Sequence, residues 1–414
     1  MFGLRRKSLE VLQPVAPETR SLVTPTAADF AIFGAVPSLS GVLVTPNSAL
    51  RVPAVMAGVK AISEAVEILP LHIFRRGQDG SRERVTDHPA ARLLNGAANP
   101  WTNGAHLREV LTADAIAHGN GYGSILRDQG GKPRELHRLL PTSVVVEIDP
   151  TTKEPRYKVT EGTSSRLVSF EDILHIRAPS PLCTNSVVGR SPLIEAKDAI
   201  GLLIVLQLHA SKLFANGGRP SGILSFPQKL GAEVAARIKA SWQAATSGNN
   251  AGGTAVLEED GKFTPLSFNS VDSQFLEIWA LAITEVARVL RVPPVLLMDY
   301  SRQTWANAET GGQQFLTYSL APWLSRWEAE VSLKLIGEGG QSDMFPEFLT
   351  DELLRSDFAS RATAYGQYRS MGVMTANDVR RGLNLPPIAG GDVLQNPYTS
   401  SAVAPSNKEP AANA

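Results

Sequence analysis

The sequence has little of several features that mark common protein classes. A single cysteine, Cys183, among 414 residues excludes disulfides within the chain and suits a reducing compartment. The charges of the 40 basic and 40 acidic residues cancel. A protein that binds nucleic acid tightly normally has an excess of basic residues, because these neutralise the phosphates. The most apolar run, Ala199 to Leu206, is far shorter than the roughly 20 residues of a membrane span. Because Arg5, Arg6 and Lys7 precede no adequate apolar core, we expect synthesis in a cytoplasm without export.

The motifs of common enzymes are also missing. No Walker A, HExxH, GxSxG or CxxC pattern occurs, and the histidines lack the paired spacing of a metal site. The glycines from Gly119 to Gly123 follow a helix and precede a strand, which is the reverse of the order in a dinucleotide-binding loop. We interpret them as a helix stop, Gly130-Gly131 as a hairpin turn, and the acidic run Glu258 to Asp260 as a solvated turn. The sequence therefore predicts no enzyme, no cofactor and no metal.

What stands out instead is a segment that reads as one long helix, Gly189 to Pro220. Ser191 suits the N-cap and Pro192 the first helical position, while Asn216-Gly217-Gly218 suits a left-handed stop. Its middle, Ala199 to Leu206, is apolar on every side. Such a helix needs neighbours on all sides, which favours a part of an assembly over an enzyme.

Two further helices are expected downstream, beyond a small α/β insert. The first runs from Ser273 to Leu290 with Asp272 as its cap and an apolar stripe that includes Phe275, Trp279 and Val286. The second runs from about Gln313 to Ile336 and should be kinked at Pro322, which removes a backbone hydrogen bond.

The residues before these helices predict an α+β domain with a mostly antiparallel sheet. Up to about Asn47 the chain lacks periodicity and reads as an extended arm. Helices over about 52–68, 90–95 and 104–117 alternate with strands over 71–74, 122–127, 136–139, 144–148, 156–159, 166–170 and 173–177.

Several short motifs, in order, resemble the portal proteins of tailed phages of the HK97 type. They include VKAISEAVEILPLHIF from Val59, HPAARLLNGAANPW from His88, FANGGRPSG from Phe214 and NLPP from Asn384. The resemblance covers about Val52 to Asp392. It implies a portal fold with an α/β wing, a helical stem, a small α/β clip insert and a helical crown.

The resemblance also implies domain limits along the chain. These are an N-terminal arm (1–48), a wing (49–190), a first stem helix (191–216), a clip (217–270), a second stem helix (271–292), a tunnel-loop region (293–310), a kinked helix returning to the wing (311–350), a crown (351–398) and a disordered tail (399–414).

The implied function is that of a non-enzymatic channel. The family assembles as a ring of about twelve subunits at one capsid vertex, a cyclic arrangement with head-to-tail interfaces. DNA is packaged and ejected through the ring, and the terminase motor and a head-tail adaptor dock on it. The implied partners are further copies of the chain, the major capsid protein, the terminase large subunit, the adaptor and double-stranded DNA without sequence specificity. The location would be the virion of a bacteriophage or a gene transfer agent, after assembly in the host cytoplasm.

Three sets of site residues follow from this resemblance. The DNA-facing tunnel loop would carry Arg302, Gln303, Trp305 and Asn307. The clip would dock partners through Arg219, Lys229, Arg237 and Lys239. The stem would pack through Ile200, Leu203, Ile204, Phe275, Trp279 and Val286. The zero net charge then acquires a role, because few phosphate contacts mean little friction on passing DNA.

Two alternatives from other classes remain open at this point. One is a metal-dependent hydrolase that uses Glu258 to Asp260, which would need a second set of ligands at suitable spacing. The other is a cytoplasmic helical scaffold protein, which would explain the helices but neither the α/β insert nor the polar loop from Asp299 to Glu309.

Overall fold

The computed structural model describes residues 36–77, 81–180, 187–215, 222–228, 231–246, 262–265, 269–298, 311–337, 343–350, 358–383 and 385–394. The α-helices there are α1 (Pro46–Leu50), α2 (Pro53–Ile68), α3 (Pro89–Asn95), α4 (Gly104–His118), α5 (Pro192–Glu195), α6 (Lys197–Ala215), α7 (Ala232–Thr246), α8 (Asn269–Leu290), α9 (Ala321–Val331), α10 (Phe358–Ser370) and α11 (Ala376–Gly382).

The strands are β1 (Val36–Pro37), β2 (Leu43–Val44), β3 (Leu71–Arg76), β4 (Arg82–Val85), β5 (Ala97–Asn99), β6 (Thr102–Asn103), β7 (Asn120–Arg127), β8 (Pro133–Leu139), β9 (Val144–Ile148), β10 (Pro155–Glu161), β11 (Ser164–Ser169), β12 (Ile173–Arg177), β13 (Gly222–Ser225), β14 (Lys262–Pro265) and β15 (Met344–Phe348). This mixture of helices and small sheets confirms the predicted α+β class.

The chain divides into two compact units, each described by itself. The first comprises Met1–Val59, Asp114–Asn120 and Arg177–Leu290, and the second comprises Lys60–Ala113, Gly121–Ile176 and Arg291–Ala414. The limits of arm, wing, stem, clip and crown that the resemblance implies are finer than this division into two units, and they stay a prediction.

The second unit is built on three three-stranded sheets, ordered β11-β10-β9, β12-β7-β8 and β15-β3-β4. The pairings of β3, β9, β10 and β7 with their hairpin neighbours are antiparallel, as the sequence predicted. Strands β7, β8, β9, β10 and β12 contribute one buried hydrophobic cluster, which consists of Tyr122, Leu139, Val144, Tyr157, Val159 and Ile173. β15, which the sequence analysis did not identify, pairs antiparallel with β3 from Met344↔Arg75 to Phe348↔Leu71.

The helix that was expected to be kinked at Pro322 changes from a π-helix to an α-helix just before this proline. The residues Phe315–Leu320 immediately before α9 are π-helical, and a second π-helical turn, Ser332–Ile336, follows it. Proline cannot donate a backbone hydrogen bond, so a wider turn before it accommodates the loss. Trp327 of α9 is fully buried, and its indole Nε1 donates to Thr112 Oγ1 at 3.0 Å.

The first unit departs from the expected arm at its N-terminal end. β1 and β2 pair as a small antiparallel hairpin, and α1 follows under a capping box made by Thr45 and Ser48. The prediction of an extended arm up to Asn47 is therefore wrong for residues 36–47. Two-residue strands and a five-residue helix are too short to show a period in the sequence.

The segment expected as one long helix is two helices. Ser191 is the N-cap of α5, as predicted, and its Oγ accepts from Ile194 N at 3.3 Å. The helix is then interrupted at Ala196, with φ −86° and ψ 13°, before α6 begins at Lys197. Ser191 Oγ also donates to Ala117 O at 2.7 Å, so α5 is held by the end of α4.

The predicted cap of the following helix is also wrong. α8 begins at Asn269, so Asp272 lies inside the helix. Aspartate favours helix starts in general, so its presence does not by itself fix where a helix begins.

Candidate functional site

The paired helices α6 and α8 of the first unit are the first candidate, because they carry the predicted stem residues. The two helices pack against each other. Ile200 and Leu203 of α6 are 0% and 1% exposed, and Val286 of α8 is 1% exposed. Ala282 of α8 is also buried, at 1% exposure.

The remaining predicted packing residues are only half-buried. Ile204, Phe275 and Trp279 are intermediate in exposure. The rings of Phe275 and Trp279 lie 5.8 Å apart, and His209 of α6 lies 6.0 Å from Phe275. Phe275 therefore contacts α6 through the ring of His209.

α8 also carries a second apolar stripe that α6 does not cover. Ile278, Leu281 and Val289 are 45%, 56% and 39% exposed. At about 100° per residue these positions lie between roughly 40° and 120° around the helix from the stripe of Phe275, Ala282 and Val286, all to the same side. Periodicity in the sequence shows that a position is apolar but not which neighbour covers it, so the sequence predicted only the first stripe.

α6 adds to this uncovered apolar surface. Leu202, within the apolar stretch of the helix, is 36% exposed, and Leu208, just beyond it, is 49% exposed. Isolated exposed apolar residues are ordinary, but several on two packed helices indicate a surface that another molecule covers. We name the exposed residues Leu202, Leu208, Ile278, Leu281 and Val289 the outer stem surface.

The hairpin of β1 and β2 lies directly against α6. Leu39 N donates to Asp198 Oδ1 at 2.8 Å. A Cβ atom on Gly201 would lie 2.4 Å from Ser38 Oγ and 2.9 Å from Ser40 Oγ. Gly201 therefore permits a close approach of the hairpin to the helix.

The small insert between α6 and α8 contains a two-stranded sheet and a helix. β13 and β14 pair antiparallel, from Gly222↔Pro265 to Ser225↔Lys262. Arg237 and Lys239, two of the predicted docking residues, are exposed on α7. The other two, Arg219 and Lys229, lie outside the described residues.

The predicted DNA-facing loop lies wholly outside the described residues. Its residues Arg302, Gln303, Trp305 and Asn307 are therefore not described. Cys183 and the acidic run Glu258 to Asp260, elsewhere in the chain, also lie outside the described residues. The described chain stops before the loop with a short 3₁₀ turn, Pro294–Leu297, and then Met298, which has φ 63° and is 73% exposed.

The glycine motif at the end of α4 is structural, as predicted. Gly119 has φ +88°, and a Cβ there would lie 2.7 Å from the backbone of Gly189 to Ser191. Asn120 exchanges two hydrogen bonds with Gly189, at 2.8 and 3.0 Å. The motif is thus a helix stop against which a distant backbone segment packs, and it does not form a phosphate loop.

A buried arginine, Arg108, organises part of the second unit and was not anticipated. It is 1% exposed, and its guanidinium donates to Glu67 O and Leu69 O, both at 2.9 Å, to Val66 O at 3.4 Å, and to Leu94 O. These carbonyls end α2 and α3, where helices leave acceptors without internal partners. Burial lowers the pKa of Arg108 to about 10, so the side chain still carries its charge at neutral pH.

The second unit also contains a surface cavity of about 840 Å³. The lining includes Arg127, Lys132 and Lys334. Arg127 pairs with Asp172 at 2.9 Å and donates to Gly131 O and Glu171 O, so its charge is already engaged.

Among the described residues, no helix combines the length and apolar character needed to cross a lipid bilayer.

Comparison with known proteins gives a consistent picture. The family model for phage portal proteins matches residues 53–384. The probable portal protein of Streptomyces phage phiC31 is 30% identical over 377 residues, which cover 87% of this chain and 80% of the relative. The portal protein of Enterobacteria phage HK97 is 28% identical over 371 residues, which cover 88% and 86% of the two chains.

A solved structure adds a match at the level of the fold. A chain in the neck of a native gene transfer agent particle with C12 symmetry has a TM-score of 0.58 and 25% identity. The match covers 83% of this chain and 94% of that one.

Proposed function

The chain belongs to the phage portal protein family, and on this premise we propose that it forms a ring at one capsid vertex through which DNA is packaged and ejected. The resemblance to the HK97 type is thereby confirmed. The relative from the C12-symmetric neck supports assembly into a ring and a location in the virion. A ring of about twelve subunits, assembled in the host cytoplasm, is part of the proposal.

The observation that carries this proposal is the outer stem surface. Within one chain, α6 and α8 pack against each other, and Ala282 and Val286 of α8 are buried. Ile278, Leu281 and Val289 remain exposed on a different side of α8. In a cyclic assembly each subunit contacts two neighbours through different surfaces, so helices that line a ring need apolar residues beyond those that hold the monomer together. The exposed stripe meets that need.

The partner sites are assigned from the family arrangement. We propose that α7, with exposed Arg237 and Lys239, belongs to the clip on which the terminase large subunit and later the head-tail adaptor dock. Arg219 and Lys229 complete this proposed surface. The second unit would then carry the wing, which contacts the major capsid protein, and the crown.

The proposed contact with DNA is the loop that contains Arg302, Gln303, Trp305 and Asn307. One cation and several neutral side chains suit a surface along which DNA slides, because few phosphate contacts release few counter-ions. The zero net charge of the chain agrees with that role.

Assembly is tested by electron microscopy and native mass spectrometry of the purified protein. We expect rings with a central hole for the wild type. In Leu281→Glu the ring interface would have to bury a carboxylate, at a cost of several kcal/mol, so this variant should yield monomers with an unchanged circular dichroism spectrum. A stable monomer as the sole wild-type species at micromolar concentration would refute the ring.

The matched control is Leu167→Glu. Leu167 is 61% exposed on β11, in the second unit, so it receives the same change of side chain away from the stem. This variant should assemble like the wild type. Equal loss of rings in both variants would show that the added charge, and not the position, is responsible.

The DNA contact is tested with Arg302→Ala/Trp305→Ala. We expect rings to form but packaging or retention of DNA to be impaired, as measured by the amount of nuclease-protected DNA in particles. Wild-type amounts would remove the assignment of the loop while leaving the ring intact.

A further inference from the structure

Three potential metal ligands meet where the end of α2 lies beside the start of α4, in the second unit. They are Glu67 in the last turn of α2, and His106 and Glu109 near the start of α4. Each offers one ligand atom, and these three atoms all lie within 4.8 Å of one another. Histidine motifs in the sequence do not indicate this group, because its members are 39 and 3 positions apart and come from two helices.

The backbone holds the three side chains in place. His106 and Glu109 are three residues apart on one helix, so they share a face, and His106 Nδ1 lies 2.9 Å from Glu109 Oε2. Arg108, between them in sequence, donates to Glu67 O at 2.9 Å. One buried arginine thus fixes the end of α2 against α4, and ligands on two such helices are preorganised for binding.

A simple ion pair accounts for only part of this arrangement. His106 and Glu109 would form an ordinary surface pair worth about 0.2–0.5 kcal/mol without a third group. Glu67 adds a second carboxylate within 4.8 Å of both. One cation at this point could accept both carboxylates and the imidazole, which a pair of side chains alone cannot use together.

The donor set also selects the kind of cation. Carboxylate oxygens alone would suit Mg²⁺ or Ca²⁺, whereas an imidazole nitrogen with carboxylates favours Zn²⁺ and neighbouring transition ions. His106 has a side chain that is 58% exposed and Glu109 one that is 24% exposed, so an ion can enter from solvent and keep water in its remaining positions.

We propose that Glu67, His106 and Glu109 bind one Zn²⁺ ion that joins the end of α2 to the start of α4. The proposal is independent of ring formation and of DNA passage. Its consequence is stabilisation of the second unit, because a ligand that binds only the folded state raises its stability.

The test uses the full-length protein without an affinity tag, freed of metal with a chelator. After one molar equivalent of ZnCl2 and desalting, we expect about one zinc per chain by mass spectrometry of the metal. Saturating Zn²⁺ should raise the melting temperature by about 5 °C at a hundredfold excess over Kd, and MgCl2 should not. Co²⁺ bound at the same site should give a visible absorption band.

His106→Ala and Glu67→Gln should each weaken Zn²⁺ binding at least about tenfold. The matched control is His137→Ala, because His137 Nε2 also pairs with a glutamate, Glu135, at 3.0 Å. In the part of the chain that the structure describes, that pair has no third ligand beside it.

The control variant should bind Zn²⁺ like the wild type. Equal affinity of the wild type and both ligand variants, or no zinc retained by the wild type, would overturn the site. The ligand variants change partly or largely exposed side chains, so unaltered circular dichroism spectra are expected and show that any loss of binding is local.

Discussion

Replacement of Arg108 by alanine should be among the most damaging single changes in the second unit. The side chain is 1% exposed and donates to four carbonyls at the ends of two helices. Its plane also lies near the ring of Phe348, with the guanidinium carbon 5.9 Å from the ring centroid. Alanine would leave these acceptors buried without donors.

The magnitude follows from the opposing contributions. Hydrogen bonds from a charged donor are worth about 2 kcal/mol each, which gives about 6 kcal/mol if the long contact to Val66 O is discounted. Burial opposes the charge and lowers the pKa to about 10, a penalty of about 3 kcal/mol on the charged form. The cavity left by the side chain adds about 1 kcal/mol. We therefore expect Arg108→Ala to lower the free energy of unfolding by about 4 kcal/mol.

The measurement is urea denaturation of the full chain at pH 7, followed by circular dichroism. Arg108→Lys should lose about 2 kcal/mol, because a lysine keeps the charge but cannot reach all the carbonyls. Arg156→Ala is the control. Arg156 pairs with Asp149 at 2.9 Å but its side chain is 52% exposed, so its loss should cost less than about 1 kcal/mol. If Arg108→Ala is no more destabilising than this control, the assigned role is wrong.

Three further predictions follow from single contacts. Burial raises the pKa of Glu328, so the charged carboxylate lowers the free energy of unfolding at pH values above that raised pKa. Glu328→Gln should therefore stabilise the protein at pH 7. In urea denaturation repeated below about pH 4.5, where the carboxyl is protonated in both states, this gain should vanish. Gly201→Ala should destabilise the first unit by about 1–3 kcal/mol in thermal melts, because the added Cβ would lie 2.4 Å from Ser38 Oγ, and an unchanged melting temperature would contradict this. Trp327→Phe should lower the free energy of unfolding in urea by about 1–3 kcal/mol, because it removes the donor to Thr112 and leaves a void. Thr112→Val should be less destabilising in the Trp327→Phe background than in the wild type, because the hydrogen bond is already lost there.

Local signals in the sequence were sufficient for many of the elements. Ser191 caps its helix because a serine before a proline fits that position in any fold. Gly119 ends α4 and Gly131 turns the β7–β8 hairpin because both adopt positive φ, at 88° and 77°, which glycine adopts without strain. The motifs in order, from Val59 onward, identified the family before any contact was known.

Errors arose where local signals are weak or where several are equivalent. The helix expected from Ser191 onward is interrupted at Ala196, although alanine is a good helix former, because α5 and α6 are held by different neighbours. Asp272 was a plausible cap, but α8 already begins three residues earlier, at Asn269. Intrinsic preference could not choose between the two starts.

The sequence by itself determined the family, the α+β class and most of the helix and strand positions, because capping, turn chemistry and hydrophobic period act over a few residues. The tertiary structure alone decided which apolar residues stay exposed on α8, that Arg108 closes two helix ends, and that Glu67 meets His106. These features join residues tens of positions apart. Their free energy comes from burial and from long-range partners, which no local pattern records.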